Sequence, residues 1–339
     1  MKYSATINHI ASYFPELALT NDELAQLYPE WSADKIFNKT GVLTRRISRE
    51  DETAADLAYQ ACINLFNSGA ISCKEIDMLL LCTQSPDYFL PTTACTLQHR
   101  LNLPQTAGAF DFNLGCSGYI YGLGIAKGFI ESGQCKNVIL VTSDTYTKYI
   151  HPRDKSVRTI FGDGATATHL CIRASCSDHL ASFVYGTNGE GASNLIVPTG
   201  AMRTGRTPES AVEYSDESGN VRTGDNLYMN GAEIYAFTLK AVPSLIQEVL
   251  NKAALELLDI NYFVFHQANA YMLESLRKKI SIPAEKFLID MEDIGNTVSS
   301  TIPTVIERKL ADGTIKTGNK VMLVGFGVGY SWGATIWTV

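Results

Sequence analysis

No apolar run in this 339-residue chain reaches the roughly 18 residues that a helical membrane span needs, so no such span is expected. The chain has eight cysteines, at 62, 73, 82, 95, 116, 135, 171 and 176, and none forms a Cys-x-x-Cys pair. Zinc and thioredoxin-like readings lose their main support, and no metal is expected. Basic residues are too few for a nucleic-acid partner: 28 Lys and Arg face 35 Asp and Glu, for a net charge of −7. The opening Met1-Lys2-Tyr3-Ser4-Ala5-Thr6-Ile7 alternates like a strand and lacks the apolar core of a signal peptide. The expected address is therefore the cytoplasm, where most cysteines are small buried hydrophobes rather than bridges.

What is present suits a globular protein, at 45% hydrophobic and 19% charged residues. The length exceeds the usual size of a single core and points to two domains or two fused halves. The pattern repeats accordingly. Ile76-Asp77-Met78-Leu79-Leu80-Leu81-Cys82 and Ile260-Asn261-Tyr262-Phe263-Val264-Phe265-His266 are apolar strands ending in polar turns. The next strands, at Val138 and Val321, start 62 and 61 residues later, counted from 76 and 260. A last pair opens at Gly164 and Gly333. Two copies of one α/β unit, residues 1–172 and 173–339, account for this. Strands apolar throughout imply sheets covered on both faces by helices. Helical spacing runs from Thr53 to Ser68, closed by Gly69, and from Ala232 to Leu258, where Pro243 should kink or interrupt it. Residues 199–226 are polar and read as an excursion over the surface.

Chemistry concentrates in three fragments. Ala109-Phe110-Asp111-Phe112-Asn113 reads as a strand, Gly115 as a tight turn, and Tyr119 onward as a helix ending at Gly133. That puts Cys116 at a helix N-terminus, where free N–H groups and the dipole favour a thiolate. Of six histidines, only His266 ends an apolar strand, and Gln267-Ala268-Asn269 follow it. Functional groups gather beyond the C-terminal ends of such strands. Gly295-Asn296-Thr297 alone reads as a turn, but the hydroxyl-rich run after it can aim the Asn296 amide into a pocket. The loop from Gly325 to Gly333 does not cradle phosphate, because no Lys-Ser/Thr follows; it suits an oxyanion hole built from backbone N–H groups. Gly162-Asp163-Gly164 reads as a turn into a strand.

Together with Thr40-Gly41, Ile160-Phe161-Gly162-Asp163-Gly164-Ala165 and Met229-Asn230-Gly231, these fragments make the chain resemble a β-ketoacyl-acyl carrier protein synthase III of the thiolase superfamily. The resemblance spans the whole length and implies a duplicated αβαβα five-layer fold. It implies that Cys116 takes an acyl group from a thioester, and that His266 and Asn296 donate to the malonyl thioester while carbon dioxide leaves. The backbone N–H groups of Cys116 and of the Val328–Gly329 stretch would form the oxyanion hole. Leu90, Lys39, Lys155, Gly231 and Gln267 are the implied substrate-binding residues. No cofactor is implied; coenzyme A and acyl carrier protein thioesters are substrates. The implied partners are an acyl carrier protein and a second copy of the chain, reached by the loop around Phe89-Leu90-Pro91. Lysine at 39 and 155 replaces the family's arginine, and Trp31 falls out of register. Tyr271 stands where a basic residue helps dock the carrier protein. These departures point away from acetyl-coenzyme A as donor. An acyltransferase working without decarboxylation is the alternative on the same fold, and a silent partner subunit a more distant one. A thiolase needs a second cysteine near the C-terminus, and none follows Cys176.

Overall fold

Among the described residues, two five-stranded sheets share one plan. The computed structural model describes residues 2–175 and 178–339; Met1, Cys176 and Ser177 lie outside them. The first sheet is built from β1 (Lys2–Tyr13), β2 (Met78–Cys82), β3 (Gly108–Phe112), β4 (Asn137–Asp144) and β5 (Gly164–Ser175), in the order β1-β5-β4-β2-β3. The second uses β6 (Leu180–Thr187), β7 (Tyr262–Phe265), β8 (Phe287–Leu288), β9 (Lys320–Gly327) and β10 (Ser331–Thr338), in the order β6-β10-β9-β7-β8. In each sheet one central strand has parallel neighbours on both sides, and the remaining pairs are antiparallel. The repeat read from the sequence is thus a repeat of topology. The chain leaves the first sheet at Ser175 and enters the second at Leu180, so the expected division at residue 172 falls inside β5.

Two helices lie between the sheets, α2 (Gly118–Glu131) and α5 (Thr301–Ala311), each touching strands of both. Outside them, α1 (Ala54–Asn67) covers the first sheet, and α3 (Gly231–Ala253) with α4 (Ala270–Ile280) covers the second. Side-chain alternation sorts the layers. Leu79 and Leu81 face α1, whereas Leu80 faces the central helices; Phe263 and Phe265 face α3, whereas Val264 faces inward. The inner strands β2 and β7 are buried on both faces, which is why these runs are apolar without interruption.

Two expectations need correction. Pro243 does not interrupt α3, which runs unbroken from Gly231 to Ala253. The proline costs about 3 kcal/mol in a helix interior. Burial of Val242, Leu245, Ile246 and Val249 on the sheet, at about 1.5–3 kcal/mol each, outweighs it. The glycine-rich stretch after residue 325 is mostly strand. β9 continues to Gly327 and β10 begins at Ser331, which leaves a three-residue turn. The segment 199–226 does run over the surface, but it is pinned by a buried ion pair between Arg222 and Asp154 at 2.7 Å.

Candidate active site

Cys116 and Asn296 stand at matching places in the two halves, each shortly before one of the central helices. Ser117 occupies the N-cap position of α2 directly after Cys116, its hydroxyl turned to that of Ser331 at 2.6 Å. Asn296 precedes a short helical turn, Val298–Ser300, that leads into α5. His266 follows the last residue of β7, and its own N–H bonds the carbonyl of Val324 on β9 at 2.8 Å. All three side chains are at most 5% exposed, and all three line one cavity of about 310 Å³. Helix N-termini carry unpaired N–H groups and partial positive charge, so this cavity favours an anion.

Glycines let the backbone close around the sulfur. A Cβ on Gly327 would stand 2.8 Å from both Cβ and Sγ of Cys116. Gly327→Ala is therefore expected to push Cys116 aside and cut acyl loading at least tenfold while the protein still folds; mass spectrometry of intact protein against time measures it. The turn beyond Gly327 brings the Val328 N–H to the Cys116 sulfur, where the Cys116 N–H also points. Gly329 has φ +136, a backbone that other residues rarely adopt, but of the Val328–Gly329 pair it is the Val328 amide that bonds the sulfur.

The electrostatics differ from the sequence-based expectation. Burial pushes the Cys116 thiol up to about 12; the Val328 N–H opposes the rise and the nearby Asp144 carboxylate adds to it. The resting group is a thiol because desolvation outweighs the helix terminus. Burial likewise holds the His266 imidazole down at about 3, partly offset by a backbone hydrogen bond with Val298, so the ring is neutral at physiological pH. His266 Nδ1 lies 2.8 Å from Thr301 Oγ1, and its ring stands edge-on to Phe326. Asn296 Oδ1 accepts the Val298 N–H at 2.9 Å, which fixes the amide. Its Nδ2 then faces Ala268 O at 3.4 Å and His266 Nε2 at 3.5 Å.

The other expected residues divide. Gly231, at the start of α3, lines the cavity with the sulfur. Lys39 lies at the adjoining mouth of about 430 Å³. Trp31 is not displaced from the site: it lines both spaces, and the Lys39 amine sits 4.9 Å from its ring centre. Lys155 lines neither, since Glu30 and the Ser218 carbonyl hold its amine at 2.6 and 2.8 Å. Gln267 is likewise spent on structure, bonding Phe265 O and accepting from Asp290 N. Leu90 is 82% exposed and outside the cavity.

Four residues that the sequence did not assign to the site also build it: Phe161, Gly162, Asp144 and Thr301. Phe161 pairs with Asn296 as an isolated parallel bridge, through Asn296 N to Ile160 O and Gly162 N to Asn296 O, both 3.0 Å. Gly162 is required there, because a Cβ would stand 2.2 Å from the Ile294 carbonyl. Asp144 accepts from Gln84 N and Ser299 Oγ and ties the Asn296 loop to the first sheet; burial raises its carboxyl to about 7. Thr301 supports His266. The available signals were the Gly162-Asp163-Gly164 turn and the hydroxyl run after Asn296.

Known proteins match this arrangement. The family model for 3-oxoacyl-[acyl-carrier-protein] synthase III matches residues 110–189, and the model for the C-terminal part of that enzyme matches 250–339. A β-ketoacyl-[acyl-carrier-protein] synthase III 2 of Halalkalibacterium halodurans is 36% identical over 340 residues, covering 99% of this chain and 97% of that one. A crystal structure of a 3-oxoacyl-(acyl-carrier-protein) synthase III is 53% identical and superposes with a TM-score of 0.98, covering 99% of this chain and all of that one. A 3-oxoacyl-(acyl-carrier protein) synthase from Burkholderia xenovorans LB400 is 36% identical with a TM-score of 0.90, over 99% and 94% of the two chains. With a cysteine, a histidine and an asparagine facing one buried cavity between duplicated halves, the chain belongs to the β-ketoacyl-acyl carrier protein synthase III family, the acyltransferase-class condensing enzymes of thiolase-like fold.

Proposed function

We propose that Cys116 takes an acyl group from a thioester and that His266 and Asn296 serve the decarboxylative condensation that follows. In loading, the sulfur forms a bond to the acyl carbonyl carbon, the donor's C–S bond breaks, and the Cys116 proton leaves with the donor thiol. The Cys116 and Val328 N–H groups face the developing oxyanion. In condensation, malonyl thioester loses carbon dioxide, and the enolate oxygen is held by His266 and Asn296. The enolate carbon then attacks the Cys116 thioester and expels the sulfur. The observation that carries this reading is the single buried cavity shared by Cys116, His266 and Asn296. Nothing in the cavity favours passage of the acyl group to an alcohol or amine.

The two halves belong to residues 1–175 and 180–339 in this reading, and the chain works in the cytoplasm with an acyl carrier protein. Tyr88, Phe89 and Leu90 are 62%, 78% and 82% exposed, an apolar run that suits contact with a second copy. Phe89→Glu is expected to shift the sedimenting species from dimer to monomer; a wild-type protein that sediments as a monomer would remove the dimer.

The priming group is longer than acetyl in this reading. Beyond Val328 and Tyr146 lies a second space of about 740 Å³, with Leu195 and Leu227 in its walls. Lys155 is committed elsewhere, and lysine at 39 lacks the bidentate grip of arginine on a nucleotide phosphate. Loading of Cys116 from acetyl-coenzyme A should be at least tenfold slower than from longer acyl-coenzyme A or acyl-carrier thioesters. Preferred acetylation from coenzyme A would return the protein to ordinary fatty acid initiation.

A further inference from the structure

A neutral imidazole carries one N–H, so its tautomer decides whether the nitrogen facing the cavity donates or accepts. His266 is buried and neutral, and only its immediate partners can set that choice. Nε2 is the nitrogen on the Asn296 side, and Nδ1 is the one on Thr301.

Thr301 is the first residue of α5 and is 1% exposed, so its side chain is held by the helix and by packing. Its single hydroxyl hydrogen has two acceptors within reach, His266 Nδ1 at 2.8 Å and Val298 O at 3.1 Å. The Val298 backbone also approaches the imidazole and by itself favours a ring proton facing it. The shorter contact goes to the ring. The other side of the imidazole agrees. Asn296 Oδ1 is taken by Val298 N–H, so Nδ2, a donor, is what faces Nε2. An N–H bonding a lone pair there would close to about 2.9–3.0 Å. The separation is 3.5 Å, the spacing of two donors held side by side for a third group. Nδ2 is also only loosely held by Ala268 O, at 3.4 Å.

We propose that Thr301 is a positioning residue whose hydroxyl donates to His266 Nδ1, confining the ring hydrogen to Nε2 so that His266 and Asn296 offer two donors to one thioester oxygen. The inference rests on the proposed condensation and extends it to a residue that never touches substrate. Without the Thr301 hydroxyl the ring is free to place its hydrogen on Nδ1, toward the Val298 backbone. Nε2 then offers a lone pair to the enolate oxygen and repels it.

The test uses full-length protein carrying ¹⁵N-histidine, with the His266 signals assigned by their loss in His266→Ala. Wild type and Thr301→Ser should show Nε2–H at His266; Thr301→Val should move the hydrogen wholly or partly to Nδ1. Malonyl-carrier decarboxylation by acyl-loaded enzyme should fall roughly 10–100-fold in kcat for Thr301→Val, less than the roughly 10²–10³ of a donor removed outright because the ring hydrogen is only partly moved, with KM within about twofold. Loading of Cys116 should be unchanged, and Thr301→Ser should restore the rate. An Nδ1–H imidazole in wild type overturns the inference, as does a Thr301→Val protein that keeps both Nε2–H and full rate. If the tautomer follows Thr301 but wild type decarboxylates no malonyl thioester, the condensation reading fails and the tautomer assignment stands.

Discussion

Cys116→Ala is expected to fold normally and to take up no acyl group from any thioester. The side chain lost is small and buried at a cavity wall, so the effect on stability should stay near 1 kcal/mol, within the usual range for point mutants. The effect on loading is expected to be complete because, among the described cysteines, Cys116 is the one on whose sulfur two backbone N–H groups converge in the site cavity. Cys62 and Cys82 are also buried, but burial raises their thiols above the Cys116 value, and no N–H pair converges on either sulfur. Peptide mapping of acylated wild-type protein checks the assignment, and acyl groups found on Cys82 or Cys95 would sink it.

The second large effect belongs to His266 and Asn296. His266→Ala and Asn296→Ala should each still load Cys116 but lose about 10²–10³ in the rate of malonyl decarboxylation, about 2.7–4 kcal/mol of transition-state stabilisation. The reason is where charge develops. In the proposed mechanism, loading builds an oxyanion at the Cys116 and Val328 amides, whereas decarboxylation builds an enolate at His266 and Asn296, which line the same cavity. Release of carbon dioxide from labelled malonyl thioester, compared with loading on the same samples, separates the two steps. Equal loss in both would mean that the two residues hold the donor rather than the enolate.

Much of this was legible from the chain because the fold writes itself in apolar runs. Leu79-Leu80-Leu81 and Phe263-Val264-Phe265 face helices on both sides and so show no polar alternation. Cys116, His266 and Asn296 could be singled out because each follows a strand or a glycine turn, and the fold brings all three to one cavity. Pro243 misled because local propensity is about 3 kcal/mol, less than the packing of α3 supplies. Lys155 and Gln267 misled because alignment places a residue along the chain but not its side chain. One amine turned to Glu30, and one amide turned to the Phe265 carbonyl.

The order and type of the residues determined the duplicated α/β plan, the family and the three side chains proposed to react, since periodicity and motif are local properties. Tertiary structure alone decided their chemical state. The thiol is protonated rather than ionised because burial outweighs the helix terminus, and the imidazole is neutral for the same reason. Which residues brace them also depended on the fold. Phe161 and Gly162 hold Asn296 from 134 positions away, counted from 162 to 296, and Ser299 reaches Asp144 across the two halves. Desolvation and hydrogen bonding act through space over a few ångströms, and only the folded chain sets those distances.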